Sequence, residues 1–303
     1  MKRPLAISLF LGALLGGCNQ PFEPNGPLNS TLVVYGILNS RSDTQYVRLS
    51  STFASPPEPS IRNAAVTLSG SDNSSSYRYS FRDTTVLWQD TSGNPAPTNV
   101  YVAYNAPVEG NVAYQLQVST PSGLTATSSA TALPPPLFSL KPGATPGFFV
   151  LSRKFNSQSG AAILHFYLDY YALVNNGWVL LTEEVPTTSY TDPSGNVFPV
   201  YPSITPIGTL ETGSTDVPID SALFQGARVR VFKRFAPAPV VYLDIRFVLT
   251  QIDDALYDYY YLYNGPVDNS SIRLDVPEFT NIRGGLGVFG SRAEVVLLFP
   301  LAR

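Results

Sequence analysis

AILHFYLDYYALV (residues 162–174), NNG (175–177) and WVLL (178–181) make up the stretch of sequence that decides the fold. Both flanking runs are rich in β-branched and aromatic side chains, which pack well on a pleated sheet. Asn-Gly between two such runs is the strongest short signal for a tight hairpin, because both residues tolerate a positive φ. The stretch therefore predicts two long antiparallel strands in a β-rich C-terminal part.

Further strands are predicted downstream of this hairpin. ARVRVFKRF (227–235) alternates apolar and charged side chains, VVYLDIRFVLT (240–250) is largely apolar, and EVVLLF (294–299) lies near the C-terminus. Alternation with a period of two is typical of a strand with one buried face, so we expect three β-strands. The proline-rich segment between residues 186 and 226 is expected to form loops.

One segment of this part has helical spacing. The apolar positions of QIDDALYDYYYLYN (251–264) recur three or four residues apart, at Ile252, Leu256, Tyr259 and Tyr263. Thr250 is a candidate N-cap, and Asn-Gly-Pro at 264–266 supplies a stop signal. The pattern predicts one short helix near residues 251–263.

The N-terminal part has the pattern of short strands separated by turns. Seven apolar or alternating runs lie between residues 30 and 133, among them TLVVYGIL (31–38) and AYQLQV (113–118). Seven short strands in about a hundred residues predict an immunoglobulin-like β-sandwich. Three prolines at 134–136 favour polyproline geometry, so we place a domain boundary there and a second domain over 137–303.

The composition supports an all-β fold. The 303 residues include 18 Tyr, 17 Phe, 27 Pro and 22 Gly, and only 14% of them are charged. Aromatic side chains favour strands, whereas proline and glycine indicate many turns. We therefore assign an all-β protein, with an N-terminal immunoglobulin-like β-sandwich plus a C-terminal β-rich domain with one short helix.

The first 17 residues have the layout of a signal peptide. Lys2 and Arg3 form a positive start, and an apolar run follows from residue 5 to residue 15. This run of 11 residues is too short for a membrane-spanning helix, which needs about 20. The competing interpretation, a chance cysteine at the end of a transmembrane helix, is therefore disfavoured.

LGGC (15–18) resembles the lipobox of bacterial lipoproteins and contains the only cysteine, Cys18. The resemblance implies cleavage before Cys18, a diacylglycerol thioether on its sulfur, and a further acyl chain such as palmitate on the new N-terminus. Two or more chains give stable anchoring, because each buried CH₂ contributes about 0.8 kcal/mol. The proline-rich residues 18–29 then predict a flexible tether.

Charge and residue usage exclude several classes of function. A formal net charge of −3 argues against nucleic acid as a partner, since phosphate binding depends on basic patches. One histidine and one cysteine cannot form a typical zinc site. We expect no cofactor and no metal, and we expect the protein not to be an enzyme.

Two features of the sequence, a glycine motif and the single histidine, each have a functional and a structural interpretation. Gly285-x-Gly287-x-x-Gly290 matches the dinucleotide fingerprint as a string, but that fingerprint needs a helix after it, and the residues that follow have the pattern of a strand. A glycine-rich turn is the favoured interpretation. His165 lies in a strand-like run without a nucleophile-elbow motif, so a buried or edge-strand histidine is favoured over a Ser-His-Asp triad.

Two adjacent carboxylate pairs are candidate glycosidase acids. Neighbours on a strand point to opposite faces, so Glu183 and Glu184 cannot face one sugar together. Asp253 and Asp254 are better explained by the positive end of the predicted helix.

The tyrosines of the predicted helix form a candidate binding surface. Half-exposed aromatic rings stack on sugars and on peptide side chains. The candidate residues for such a surface are Tyr257, Tyr260 and Tyr261. A core or strand-face role for most of the tyrosines is the competing interpretation. No catalytic residue is assigned.

Motifs near both ends resemble an uncharacterised family of Bacteroidetes-type outer-membrane lipoproteins. The matching blocks are LVVYG (32–36), VRLS (47–50), NAAVTL (63–68) and NIRGGLGVFG (281–290), the last being the most specific. Residues 186–226 contain no motif that matches. The family motif residues, to which we assign structural roles, are Asn281, Gly284, Gly285, Gly287, Phe289 and Gly290.

This resemblance implies an immunoglobulin-like N-terminal domain, a β-rich C-terminal domain and a role in the cell envelope, often alongside TonB-dependent outer-membrane receptors. It transfers no catalytic residues. We therefore expect a non-enzymatic outer-membrane lipoprotein that assists a receptor, transporter or surface assembly. A stand-alone glycan- or peptide-binding surface lipoprotein is the alternative, and a hydrolase is the third possibility. The sequence leaves open which face of the outer membrane the protein occupies.

Overall fold

The computed structural model describes residues 30–52, 61–72, 74–89, 95–143, 148–155, 160–185, 188–191, 197–200, 205–206, 214–263 and 279–301. The predicted signal peptide, Cys18, the tether and the stop signal at 264–266 lie outside the described residues. Within them, no helix is both long and apolar enough to cross a membrane.

Eighteen strands and two α-helices make up the described chain. The first eight strands are β1 (Leu32–Asn39), β2 (Gln45–Ser51), β3 (Ala65–Ser71), β4 (Ser76–Ser80), β5 (Arg82–Gln89), β6 (Pro95–Ala103), β7 (Ala113–Ser119) and β8 (Thr125–Thr131). The next eight are β9 (Leu137–Pro142), β10 (Phe148–Lys154), β11 (Ala161–Val174), β12 (Gly177–Val185), β13 (Thr188–Thr191), β14 (Val197–Val200), β15 (Thr205–Pro206) and β16 (Ser214–Asp220). Then follow α1 (Ala222–Phe235), β17 (Val240–Ile252), α2 (Asp254–Tyr257), a π-helical segment (Asp258–Tyr263) and β18 (Leu286–Pro300).

The all-β fold class is confirmed. A nine-stranded sheet has the order β12-β11-β17-β18-β1-β2-β6-β5, with β15 paired to β11. A second sheet has four strands in the order β4-β3-β7-β8. It shares a hydrophobic core with the N-terminal strands of the nine-stranded sheet. Alternate side chains fill that core, as in Leu32 and Val34 of β1 against Leu116 and Val118 of β7. Two layers with one shared core form the sandwich that the strand pattern predicted.

Strands from both sides of the predicted boundary meet in the large sheet. β1 pairs in parallel with β18, with Tyr35 opposite Val288 and Ile37 opposite Gly290. Phe289 of β18 is buried in the same core as Leu32. The boundary at 134–136 stays a prediction, but the hydrogen-bonded sheet continues across it.

The central hairpin is confirmed. β11 pairs with β12 from Phe166↔Val185 to Val174↔Gly177, and the turn residues Asn175 and Asn176 have φ values of 48° and 64°. These positive φ values are those of a type I′ turn, whose twist matches that of the flanking strands. The inner side chains of β11 and β17 pack against α1 and the three-stranded sheet β16-β10-β9.

The predicted strand at 227–235 is wrong, because this segment belongs to α1. Phe224, Ala227 and Val231 are buried three or four residues apart, which is helical spacing. In a strand Val229 and Val231 would share a face, whereas Val231 is buried and Val229 is half exposed. The nine residues 227–235 fit the period of a strand as well as that of a helix. Phe224, whose burial indicates the helix, lies before this segment.

The predicted helix near 251–263 exists but begins later. Ile252 still belongs to β17, so Thr250 is not the N-cap; the N-cap is Asp253, whose Oδ1 accepts a hydrogen bond from the Leu256 amide at 3.0 Å. Leu256 and Tyr259 pack on the outer face of the large sheet, the side away from α1. The predicted single helix is therefore one of two α-helices among the described residues.

The segment from 186 to 226, predicted as loops, contains strands β13 to β16 and the start of α1. Strands β5, β9 and β10 were also not predicted. The last predicted strand, 294–299, is the second half of the fifteen-residue β18. Short strands with prolines and few apolar side chains carry little period-two signal, which is why the sequence did not indicate them.

Candidate functional site

The outer side of the large sheet is open over strands β12, β11, β17 and β18. In antiparallel pairs, opposite residues share a face, and the register places Tyr171 opposite Leu180 and Val241. On the neighbouring pair, Arg246 lies opposite Leu298 and Val248 opposite Val296. We call this surface the open face. Its exposed apolar side chains are Tyr171, Trp178, Leu180, Val241, Val296 and Leu298.

These side chains are exposed to a degree that is unusual for their type. Leu298 is 61% exposed, Leu180 57%, Trp178 52% and Tyr171 38%. Single exposed apolar residues are ordinary, but a set that spans adjacent strands of one sheet marks an interaction surface. The open face is therefore the candidate functional site.

A charged cluster lies in the middle of the open face. Arg246 donates to Asp169 through Nε at 2.8 Å and through Nη2 at 3.0 Å, and the Thr182 hydroxyl donates to the same carboxylate at 2.7 Å. Burial acts to raise the pKa of Asp169, but the hydrogen bonds from Arg246 and Thr182 outweigh it and lower the pKa. Asp169 is thus held as an anion, and the Arg246 guanidinium is fixed in the plane of the pair.

His165 and Tyr167 extend this cluster along β11. The Arg246 guanidinium carbon lies 4.7 Å from the Tyr167 ring centroid, and the His165 ring is stacked on Tyr167 at 5.9 Å. His165 Nδ1 is 2.9 Å from a Glu184 carboxylate oxygen. The expectation of a buried or edge-strand histidine is wrong, because β11 is an interior strand and His165 is only half buried.

Glu183 and Glu184 point to opposite faces of β12. Glu184 lies on the open face beside His165, whereas Glu183 accepts from Arg230 at 3.2 Å and from Arg234 at 2.9 Å on the helix side. The two carboxylates therefore do not meet in one site. Glu184 links the edge strand β12 to β11 within the sheet, whereas Glu183 links β12 to α1.

The predicted tyrosine surface belongs to α2 and the π-helical segment, which cover another part of the same outer side of the large sheet. Tyr257 is partly buried against the cluster under α2, and Tyr260 is 41% exposed and packs edge-on against Tyr259. The side chain of Tyr261 lies outside the described residues. Tyr259 is buried, and its hydroxyl donates to the Tyr35 hydroxyl at 2.7 Å. Burial, followed by this hydrogen bond, raises the pKa of Tyr259.

The glycine-rich block joins the two ends of the chain. Asn281 donates to the Phe289 carbonyl at 2.7 Å and accepts from the Phe289 amide at 2.9 Å, which fixes the start of β18. Gly284 has a φ of 82°, and Gly287 has a φ of 103°. A Cβ on Gly287 would collide with the carbonyl oxygen of Val34 in β1.

The remaining two glycines of the block also lie where a side chain has no room. A Cβ on Gly285 would lie 2.6 Å from the Leu32 carbonyl oxygen, and one on Gly290 would lie 2.6 Å from Leu256 Cγ. The string Gly285-x-Gly287-x-x-Gly290 leads into strand β18 and not into a helix. Gly285 and Gly287 therefore allow close backbone approaches between strands, whereas Gly290 leaves room for the Leu256 side chain of α2.

A family model described as a domain of unknown function, DUF4249, matches residues 19–296. The chain belongs to the DUF4249 family. No curated protein matches the chain. The DUF4249 match covers every described strand except the end of β18.

The DUF4249 chain also contains a cleft of about 420 Å³ between the end of β8 and α2. Its polar lining includes Asn111, Ser129, Thr131 and the carboxylate of Asp254. Asp253 borders it but is engaged, because its Oδ2 accepts from the Ser291 amide at 2.7 Å. Among the described residues, no three potential metal ligands cluster together.

The sequence did not single out Trp178, Leu180 or Leu298 as surface residues. Their strands are apolar on both faces, so a period of two gives no sign of which side is buried. One signal was available: Asp169 and Arg246 interrupt apolar runs at positions that pair close together across β11 and β17. Charged residues at such positions indicate the solvent side of a sheet.

Proposed function

We propose that this DUF4249 protein is a non-enzymatic lipoprotein of the bacterial outer membrane that docks onto a receptor or transporter. Acyl chains on Cys18 would hold it at the membrane, and the open face would contact the partner. The observation that carries the proposal is the exposure of Tyr171, Trp178, Leu180 and Leu298 on adjacent strands. Removing this apolar surface from water lowers the free energy, and in a folded protein that requires a partner to cover the surface.

The charged cluster supports a protein partner for the open face. Interfaces combine apolar contacts with a few fixed polar groups that select the partner, and arginine is enriched among the residues that dominate binding. Arg246 is held by Asp169 in a two-point ion pair, so its position is set before a partner arrives. A partner then loses less conformational entropy on the protein's side.

A glycan platform is the alternative, favoured by the exposed rings of Tyr171 and Trp178. Sugar recognition requires aromatic faces that are open for stacking. The ring of Tyr167, in the centre of the open face, already contacts Arg246 and His165. The larger share of exposed apolar area is aliphatic, at Leu180, Val296 and Leu298, which favours a protein surface.

The proposed lipid anchor at the membrane is supported by observations that do not involve the open face. LGGC (15–18) follows an apolar run of signal-peptide length, and the DUF4249 match begins at residue 19, directly after Cys18. The resemblance to lipoproteins found alongside TonB-dependent receptors names the partner class. Replacing Cys18 by serine should release the protein from washed membranes, and its persistence there would refute lipid anchoring.

The docking proposal is tested by purifying the acylated protein from outer membranes in mild detergent. We expect a near-stoichiometric outer-membrane receptor to co-purify with the wild type and to be lost from a Leu180→Ser/Leu298→Ser variant. Leu87→Ser is the matched control, because Leu87 is 76% exposed on β5 at the other end of the sheet. Recovery of the protein alone, or equal loss with the control, would refute docking through the open face.

A further inference from the structure

Helix α1 carries an unusual concentration of positive charge. Its residues Ala222–Phe235 include four basic side chains and no acidic one, in a chain whose formal net charge is −3. The four are Arg228, Arg230, Lys233 and Arg234. The buried side of the helix, by contrast, is apolar through Phe224, Ala227 and Val231. The helix is thus amphipathic, with its positive charge on the solvent side.

The solvent side of α1 also exposes two apolar side chains. Phe232 is 62% exposed and Val229 is 51% exposed. They are three residues apart, so they are neighbours on the helix surface. Arg228 lies four residues from Phe232 and Lys233 lies four residues from Val229, and this spacing places an exposed cation beside each apolar side chain.

One carboxylate partly offsets this charge. Glu183 of β12 accepts from both Arg230 and Arg234, while the Arg228 guanidinium lies 4.7 Å from the Tyr242 ring centroid. Two arginines that share one carboxylate leave an excess of positive charge on that flank. The helix surface as a whole is therefore cationic, with Val229 and Phe232 in its middle.

We propose that the solvent side of α1 contacts the surface of a bilayer that contains anionic phospholipids. Helices that lie in a membrane interface bury a few apolar side chains at the level of the headgroups and place arginines and lysines against the phosphates. The aliphatic stem of Lys233 can extend toward the headgroups while the apolar pair inserts, and the Arg228 guanidinium, which lies over the Tyr242 ring, adds positive charge at the same surface.

A protein partner fits this surface less well. A stable protein interface needs about 20 to 30 residues on each side, whereas the exposed apolar part of α1 consists of two side chains on one convex helix. A bilayer needs no complementary pocket, because lipids rearrange around the inserted rings. The contact uses α1 alone, so it depends neither on acylation of Cys18 nor on docking through the open face.

Vesicle flotation tests the proposal with residues 18–303 carrying Cys18→Ser, which removes the acyl chains. We expect binding to vesicles of phosphatidylcholine mixed equally with phosphatidylglycerol, and little binding to phosphatidylcholine alone. Binding should weaken at high salt, because mobile ions screen charges that lie outside the protein. No binding to the mixed vesicles, or equal binding to both kinds, would overturn the proposal.

Variants assign the contact to α1. Arg228→Gln/Lys233→Gln should reduce partition into the mixed vesicles about 25-fold, from a contribution of about fivefold per basic side chain. Phe232→Ser should also reduce it, whereas Leu180→Ser/Leu298→Ser on the open face should bind like the wild type. Thermal unfolding of each variant checks that the fold is retained.

The variant results separate this proposal from the proposed function. An α1 variant that loses vesicle binding but still captures a receptor supports both the lipid contact and docking through the open face. If the wild type captures a receptor but does not bind vesicles, only the lipid contact is refuted. An α1 variant that binds vesicles like the wild type also overturns it. If α1 variants lose a co-purified acidic protein while vesicles never bind, the partner of α1 is a protein and the lipid contact is wrong.

Discussion

The outer face of the large sheet has a covered half and an open half, formed in part by the same strands. On the covered half, Ile163 of β11 and Ile252 of β17 pack under Leu256 and Tyr259. Further along the same two strands, Tyr171 and Val241 are exposed to solvent. The strand chemistry is alike in the two halves, so what differs is the covering segment.

The two halves also differ in the side chains that they place on the outer face. The covered half needs small or glycine residues where the segment comes close, as at Gly290 against Leu256. The open half has large side chains at equivalent positions and an ion pair, Asp169 with Arg246, that tolerates water. The covered half is thus built for contacts within the chain, and the open half has the features of a surface for a separate partner.

Straining the β1–β18 pairing beside the covered half should have the largest effect. Gly287→Ala would bring a Cβ against the Val34 carbonyl and strain a φ of 103°. We expect a loss of about 4 kcal/mol or more in unfolding free energy, since neither backbone can move without breaking the β1–β18 pairing. Denaturant unfolding measures it.

Gly226→Ala is the matched control for that substitution. Gly226 lies in α1, and the nearest atom to its added Cβ is the Arg230 side chain at 3.9 Å. Alanine is favoured over glycine inside a helix by about 1 kcal/mol, so this variant should be more stable than the wild type. Equal stability losses in both variants would contradict the steric account of Gly287.

Removing the covering contact itself should have the next largest effect. Leu256 is 2% exposed, and Leu256→Ala should cost about 2–4 kcal/mol through lost burial and the cavity left behind. Leu87→Ala makes the same chemical change at a side chain that is 76% exposed, and it should cost about 0.5 kcal/mol or less. A small effect at Leu256 would mean that α2 does not hold the covered half.

The covered half should also show a distinctive pH dependence. Burial raises the pKa of Asp253 to about 6, against hydrogen bonds from Leu256 and Ser291 that lower it, and the charges of Asp254 and Asp258 raise it further. The native state then binds this proton more tightly than the unfolded chain, whose aspartates titrate near about 3.9. The stabilisation from Asp253 is therefore greatest at low pH and is lost as the pH rises from about 4 to about 6.

Asp253→Asn isolates that contribution. The unfolding free energy of the wild type relative to the variant should rise by about 2–3 kcal/mol as the pH falls from about 7 to about 4. Urea unfolding across this range measures the difference, and an NMR titration of the Asp253 carboxyl gives its pKa directly. Parallel stability curves for the two proteins would show that burial does not hold this proton.

On the open half, the ion pair should contribute less. Arg246 and Asp169 are 31% and 16% exposed, so water screens their attraction. A double-mutant cycle with Arg246→Gln and Asp169→Asn should give a coupling of about 1 kcal/mol or less, weaker at high salt. Because the pKa of Asp169 is lowered, this coupling is present at neutral pH and is lost as the pH falls through that pKa. A coupling of several kcal/mol would show that the pair is buried in solution.

The strength of periodic patterns explains how far the sequence predicted this fold. The hairpin at Asn175 and Asn176 was predictable because its turn chemistry is local. Helix α1 was not, because Arg228, Arg230 and Val231 fit a strand as well as a helix until Phe224 is included. The open face was not indicated by the period-two pattern, since its strands are apolar on both sides, and the one sequence signal for its solvent side was the charge of Asp169 and Arg246.

The smallest expected effect on stability tests the comparison most directly. Leu298 is 61% exposed, so Leu298→Ser removes little buried area and should change the unfolding free energy by about 0.5 kcal/mol or less. It should also lower self-association at high concentration, measured by light scattering, because the exposed leucine no longer adds to an apolar patch. A loss of about 2 kcal/mol would mean that another part of the chain covers Leu298, and the open half would then be a second covered one. If Leu298→Ser leaves the unfolding free energy unchanged, this exposed leucine of the open face has no role in folding. That is what we expect of an apolar side chain whose role is to bind a partner.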